Sequence, residues 1–92
     1  MRTIWKFPLR VTDEQFVSMP ESAELLTVQA QGLNLCLWAV VNTAREKCAR
    51  KFWVVGTGNP MPPTFGEEYI DYIGSAQCGS FVWHVFDGGE AE

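Results

Sequence analysis

Along most of this chain hydrophobic and polar positions alternate with a period of two, the pattern of strands that show one face to a core and one to water. Thr3 to Phe7 alternates in this way, and Pro8 then forbids continuation as a central strand. Val11 to Glu14 reads as a turn, and Gln15 to Met19 as a short second strand ended by Pro20. In Glu24–Ala30, Leu26, Val28 and Ala30 share one face, with Thr27 and Gln29 opposite. Gln31-Gly32-Leu33-Asn34 has the length of a hairpin turn.

One stretch breaks the alternation by being apolar at every position. Leu35–Val41 suits a strand covered on both faces, and its β-branched and aromatic content favours strand over helix. Arg50 to Gly56 is the next strand, with Phe52 and Val54 opposed to Trp53 and Val55. Between them, Asn42–Ala49 is either a single helical turn capped by Asn42 or Thr43, or a polar hairpin loop. Gly56 to Gly66 holds three prolines and three glycines and predicts the longest loop. Tyr69 to Phe86 predicts two strands on a short turn. Phe81, Trp83 and Val85 face one way and Val82, His84 and Phe86 the other, which places this last strand inside a sheet.

These elements predict an all-β fold: a small antiparallel β-sandwich or partly open barrel of six to seven strands in meander order, with at most one short helix. The expected boundaries are a single domain over residues 1–86 and a disordered acidic tail over 87–92.

Composition narrows the function classes. The 92 residues suit one domain, and 47% hydrophobic content with four Trp, six Phe and two Tyr supplies a core. So short a chain buries a modest fraction of its surface, and either a monomer or a homo-oligomer fits. The net charge of −4 argues against direct nucleic-acid binding, which calls for a basic stripe. Cys36, Cys48 and Cys78 are odd in number and widely spaced, which points to reduced thiols in a cytoplasm and to no metal site. The opening residues contain no apolar signal core, and no apolar run is long enough to span a membrane.

Candidate chemistry is sparse. Gly56-Thr57-Gly58 starts like a phosphate loop, but no complete nucleotide-binding motif follows. His84 is the only histidine; Asp71 or Asp87 to orient it and Cys78 or Ser80 beside it would make a nucleophile–base pair, yet its place in an apolar strand argues for packing. No catalytic residue and no cofactor is therefore assigned. The candidate binding residues are Trp5 and Trp53 as stacking surfaces, the basic Arg45, Arg50 and Lys51, and Asn59 and Phe65 in the long loop.

Taken together, Ile4-Trp5-Lys6-Phe7, Met19-Pro20, Cys36–Val41, Phe52–Gly58, Tyr72-Ile73-Gly74 and Phe81–Phe86 resemble a small family of phage and prophage proteins catalogued only as a domain of unknown function. The resemblance spans nearly the whole chain, departs from it in the proline-rich stretch after Gly58, and brings no catalytic residues. It implies expression in the cytoplasm of a host bacterial cell. With the small size and acidic balance, it leads to the expectation of a non-enzymatic accessory protein that binds a host protein. Such a protein would be an anti-CRISPR or other anti-defence inhibitor. The alternatives are a sponge for a cyclic-nucleotide signal, with Trp53 or Trp5 on the bases and Arg45, Arg50 or Lys51 on the phosphates, and a minor virion or assembly component.

Overall fold

The computed structural model describes residues 1–66 and 69–91. Among them lie seven strands and no helix: β1 (Arg2–Leu9), β2 (Glu14–Pro20), β3 (Glu24–Gln31), β4 (Asn34–Asn42), β5 (Lys47–Gly56), β6 (Asp71–Cys78) and β7 (Phe81–Glu90). All pairings are antiparallel and form two sheets, in the orders β1-β4-β3 and β2-β5-β7-β6.

The all-β expectation holds, and the period-two residues are the reason. The inner faces carry Phe7, Leu9, Val28, Leu35, Leu37, Ala39 and Val41 from the first sheet. From the second come Met19, Phe52, Val54, Ala76, Cys78 and Val85, and the two sets form one core. Strand β3 lies alongside β6 at one side of the sandwich without hydrogen-bonding to it, so no barrel closes.

Three expectations need correction. The strand order is not a meander: only β3–β4 and β6–β7 are neighbours in both sequence and sheet. A partner several strands away leaves no mark on local periodicity. Residues 42–49 form no helical turn; the Asn42 side chain accepts the Ala44 N–H at 3.0 Å and turns the chain directly into β5. The predicted tail at 87 is strand through Glu90, with only Glu92 outside the described residues. Asp87 is buried against Arg50, and a bulge at Gly88-Gly89 keeps β7 in register with β5. Gly88 is required there, because a Cβ would come within 2.9 Å of the Trp53 ring.

Pro8 lies within β1, an edge strand, where a missing N–H costs no ladder bond. The expectation of cover on both faces is met in part for β4, whose outer face buries Cys36 and half-buries Trp38 and Val40, and in part for β7, whose Val82, His84 and Phe86 are half-buried; β5 is buried at every position from Phe52 to Gly56. No helix among the described residues is long and apolar enough to cross a membrane.

Candidate functional site

The second half of the long loop is a cover, while its first half, with Thr57 and Asn59, is exposed. Phe65 lies edge-on between Trp53 (5.3 Å between ring centroids) and Phe86 (4.9 Å), on the outer face of the four-stranded sheet. Beneath it Trp53 is fully buried, and its indole N–H donates to Thr64 Oγ1 at 3.3 Å. Thr64 in turn donates to Glu14 Oε2 at 2.6 Å. The prolines break regular structure so that this segment can fold back over an aromatic face that would otherwise be wet.

The predicted binding residues are not brought together. Trp53 has no face left for a ligand. Arg50 points to the inner side of β5, where its guanidinium donates to both Asp87 oxygens, at 3.1 and 2.7 Å, and to the Ala23 carbonyl at 2.8 Å. Burial pulls the Arg50 pKa down, and the Asp87 carboxylate more than offsets this, leaving it above its ordinary value. Lys51 is on the opposite face, 5.0 Å over the Trp53 ring and 3.8 Å from Glu14. Arg45 sits in the β4–β5 turn, 3.1 Å from Glu21. Trp5 is half-buried on β1 with the Lys47 amine 5.9 Å above its ring. Asn59 is exposed beside Trp83, and Phe65 lies within the cover. The run of basic residues looked like one cluster because neighbours in sequence were counted together; in a strand they alternate faces.

His84 likewise has other partners than the sequence suggested. Its ring is held at both nitrogens by hydroxyls, Ser75 at Nδ1 and Thr57 at Nε2 (2.7 Å), and Tyr72 extends the chain through Ser75. Ser75 faces His84 directly across the β6–β7 ladder, a pairing that only the register reveals. Hydroxyls both donate and accept, so they hold either tautomer equally well. No carboxylate among the described residues bonds to the ring to fix the tautomer a general base needs. Cys78 is buried in the core and Asp87 is committed to Arg50.

What the fold does assemble is an apolar end. The β3–β4 and β6–β7 hairpins turn through Gly32-Leu33 and Gly79-Ser80, each with its glycine at positive φ (64° and 63°), the Gly-X form of a two-residue turn. The two tips meet, since a Cβ on Gly79 would lie 3.7 Å from Leu33 Cδ2. Here Leu33 is 80% exposed and Phe81 64%. Phe81 stacks on Trp83 at 5.8 Å with 29° between planes. Together with Gly56, Thr57, Asn59, Ser80 and Val82 they line a pocket of about 290 Å³. Gly56 makes room for the indole: a Cβ there would meet the Trp83 ring at 2.9 Å and Asn59 Nδ2 at 2.7 Å. The pocket is walled by aromatics and edged by hydroxyls and an amide, with no formal charge among its lining side chains. Such a pocket suits an apolar or aromatic side chain presented by another macromolecule.

Sequence reasoning missed Leu33 and Phe81. The one available signal was a leucine at the second position of a Gly-X turn, where folding asks for nothing apolar.

The profile of a family described as a domain of unknown function (DUF7352) matches residues 1–92. No curated protein and no solved structure matches the chain.

Proposed function

We propose that this chain, which belongs to that family, works by binding another protein through its loop end and catalyses no reaction. The observation that carries this reading is the pair of hairpin tips bearing Leu33 and Phe81 above the Trp83 pocket. Large exposed apolar side chains are costly in a free surface and characteristic of the centre of an interface. The pocket also has the aromatic anchors that dominate binding energy.

The partner we propose is a host bacterial protein, and the setting a phage or prophage that deploys this protein against host defence. The resemblance of its motifs to phage-encoded proteins supports that setting, as do its small size and acidic surface, which complements a basic partner. The test is to express the wild-type chain and a Leu33→Asp/Phe81→Asp variant in bacteria carrying a defined defence system, and to score phage plating. The wild type is expected to restore plating and the variant to lose that effect while staying folded. Equal plating with and without the wild-type chain, across a panel of defence systems, would remove the anti-defence reading.

A further inference from the structure

The outer face of the three-stranded sheet is apolar along its middle and oppositely charged at its two edges. Even-numbered residues of β1 and β4 point outward there, because Phe7, Leu37, Ala39 and Val41 hold the core. Ile4 (57% exposed), Leu26 (43%) and the half-buried Trp38 line an open groove of about 310 Å³. Beside it a hollow of about 220 Å³ runs over Val40 between Arg2 and Glu24. Lys6 reaches across β4 to Gln31 at 2.6 Å and bounds the apolar stretch at its Cys36 end. Arg2 and Lys6 thus mark the β1 edge, and Glu24 the β3 edge. Among the described residues neither Arg2 nor Glu24 enters an ion pair.

Such a face calls for an occupant that is apolar at its centre, with an acid opposite β1 and a base opposite β3. A second copy of the chain meets these terms in one orientation. A two-fold axis along the strands lays β1 of each copy over β3 of the other and keeps every residue at its own height. The ladders put Ile4 and Glu24 level with Val40, and Arg2 level with Asn42. Arg2 therefore stands about 7 Å along the strand from the partner's Glu24, across the roughly 10 Å between packed sheets. An arginine and a glutamate side chain together span that separation. The axis generates the second such pair from the first, so both form at once. Ile4 comes beside the partner's Leu26, and Trp38 and Val40 meet their own copies near the axis. A two-fold across the strands instead lays β1 on β1 and β3 on β3, which sets like charge over like.

We propose that two copies of this chain pack face to face through the outer surface of the β1-β4-β3 sheet, as a dimer with its two-fold along the strands. The contact takes Ile4, Leu26 and Trp38 out of water, and the Arg2–Glu24 pairs on its rim select the orientation. The turn carrying Leu33 precedes Asn34, at the opposite end of β4 from Asn42, and so lies outside the apolar stretch. Because the axis preserves height, both copies present their loop ends at the same end of the dimer.

Sedimentation of the purified chain should give twice the chain mass. Leu26→Asp buries a charge in the contact and should yield monomers with an unchanged β-sheet circular dichroism spectrum. The charge test stands even if that variant fails to fold, since Arg2 and Glu24 are exposed. Arg2→Glu alone and Glu24→Arg alone each set like charges across the rim and should weaken the dimer by about tenfold or more. In an equimolar mixture each variant supplies the sign the other lacks at both pairs, and the dimer should recover. A wild type that stays monomeric at its highest soluble concentration, or a dimer indifferent to both charge changes, would overturn the proposal.

Discussion

At Asp87 the chain places a carboxylate where almost no solvent reaches, held by both arms of the Arg50 fork and by the Gly89 N–H at 2.8 Å. Removing one partner of such a pair strands the other charge, whereas replacing both by apolar groups can be neutral. Asp87→Ala is therefore expected to cost about 3–5 kcal/mol in denaturant unfolding, and Arg50→Met/Asp87→Leu less than that single change. A double variant at least as destabilised as the single would refute this account of the pair. Glu90 behaves differently. The Ser22 N–H (2.7 Å), then the Cys48 thiol (3.2 Å), hold its carboxyl below the ordinary value. A folded-state pKa lowered in this way contributes stability above the unfolded value, and that stability is lost as pH falls through the folded one. Glu90→Gln should thus flatten the acid limb of the stability–pH curve. The same contact raises the Cys48 thiol, by burial first and by Glu90 next. Cys48 should react slowly with a disulfide reagent at mildly alkaline pH, and faster in Glu90→Gln; an unchanged rate would show that Glu90 does not restrain the thiol.

Among the elements, the loop of residues 57–66 owes its conformation to what it covers. Phe65→Ala withdraws the ring that seals Trp53 against Phe86, and should cost about 1.5–3 kcal/mol, the value of burying such a side chain. Trp53 emission should move to longer wavelength as water reaches the indole. An unshifted spectrum would mean that the rest of the loop seals the face without Phe65. The strands themselves were legible in the sequence, because Leu26/Val28/Ala30 and Phe52/Val54 alternate and Pro8, Pro20 and Gly32 punctuate them. The extension of β7 past Phe86 was not. Asp87-Gly88-Gly89-Glu90 reads as a polar, flexible end until the Arg50 partner and the close approach of Trp53 to Gly88 are seen. Strand order was hidden for a related reason: β2 meets β5 across two intervening strands, and no local pattern encodes so distant a partner.

For the molecule as a whole, aromatic and branched residues are committed to two facing sheets and their outer cover, and two of the most exposed apolar side chains, Leu33 and Phe81, meet at one end. None of the seven sequence-derived candidates lies among the tips. Arg45, Arg50 and Lys51 face Glu21, Asp87 and Glu14, Trp53 and Phe65 pack on each other, Trp5 lies under Lys47, and only Asn59 reaches the pocket. Sequence alone finds the residues able to bind, but three-dimensional packing decides which are already occupied. Leu33→Asp changes an exposed side chain and should alter stability by no more than about 0.5 kcal/mol, while Phe81→Asp also gives up the stacking on Trp83 and should cost about 0.5–1.5 kcal/mol; both should abolish partner binding. The most direct measurement is amide hydrogen exchange on the captured complex against the free chain. The predicted result is new protection confined to residues 32–34, 57–59 and 79–83. Protection elsewhere, with those tips exchanging as fast as before, would contradict the assignment of the loop end as the binding surface.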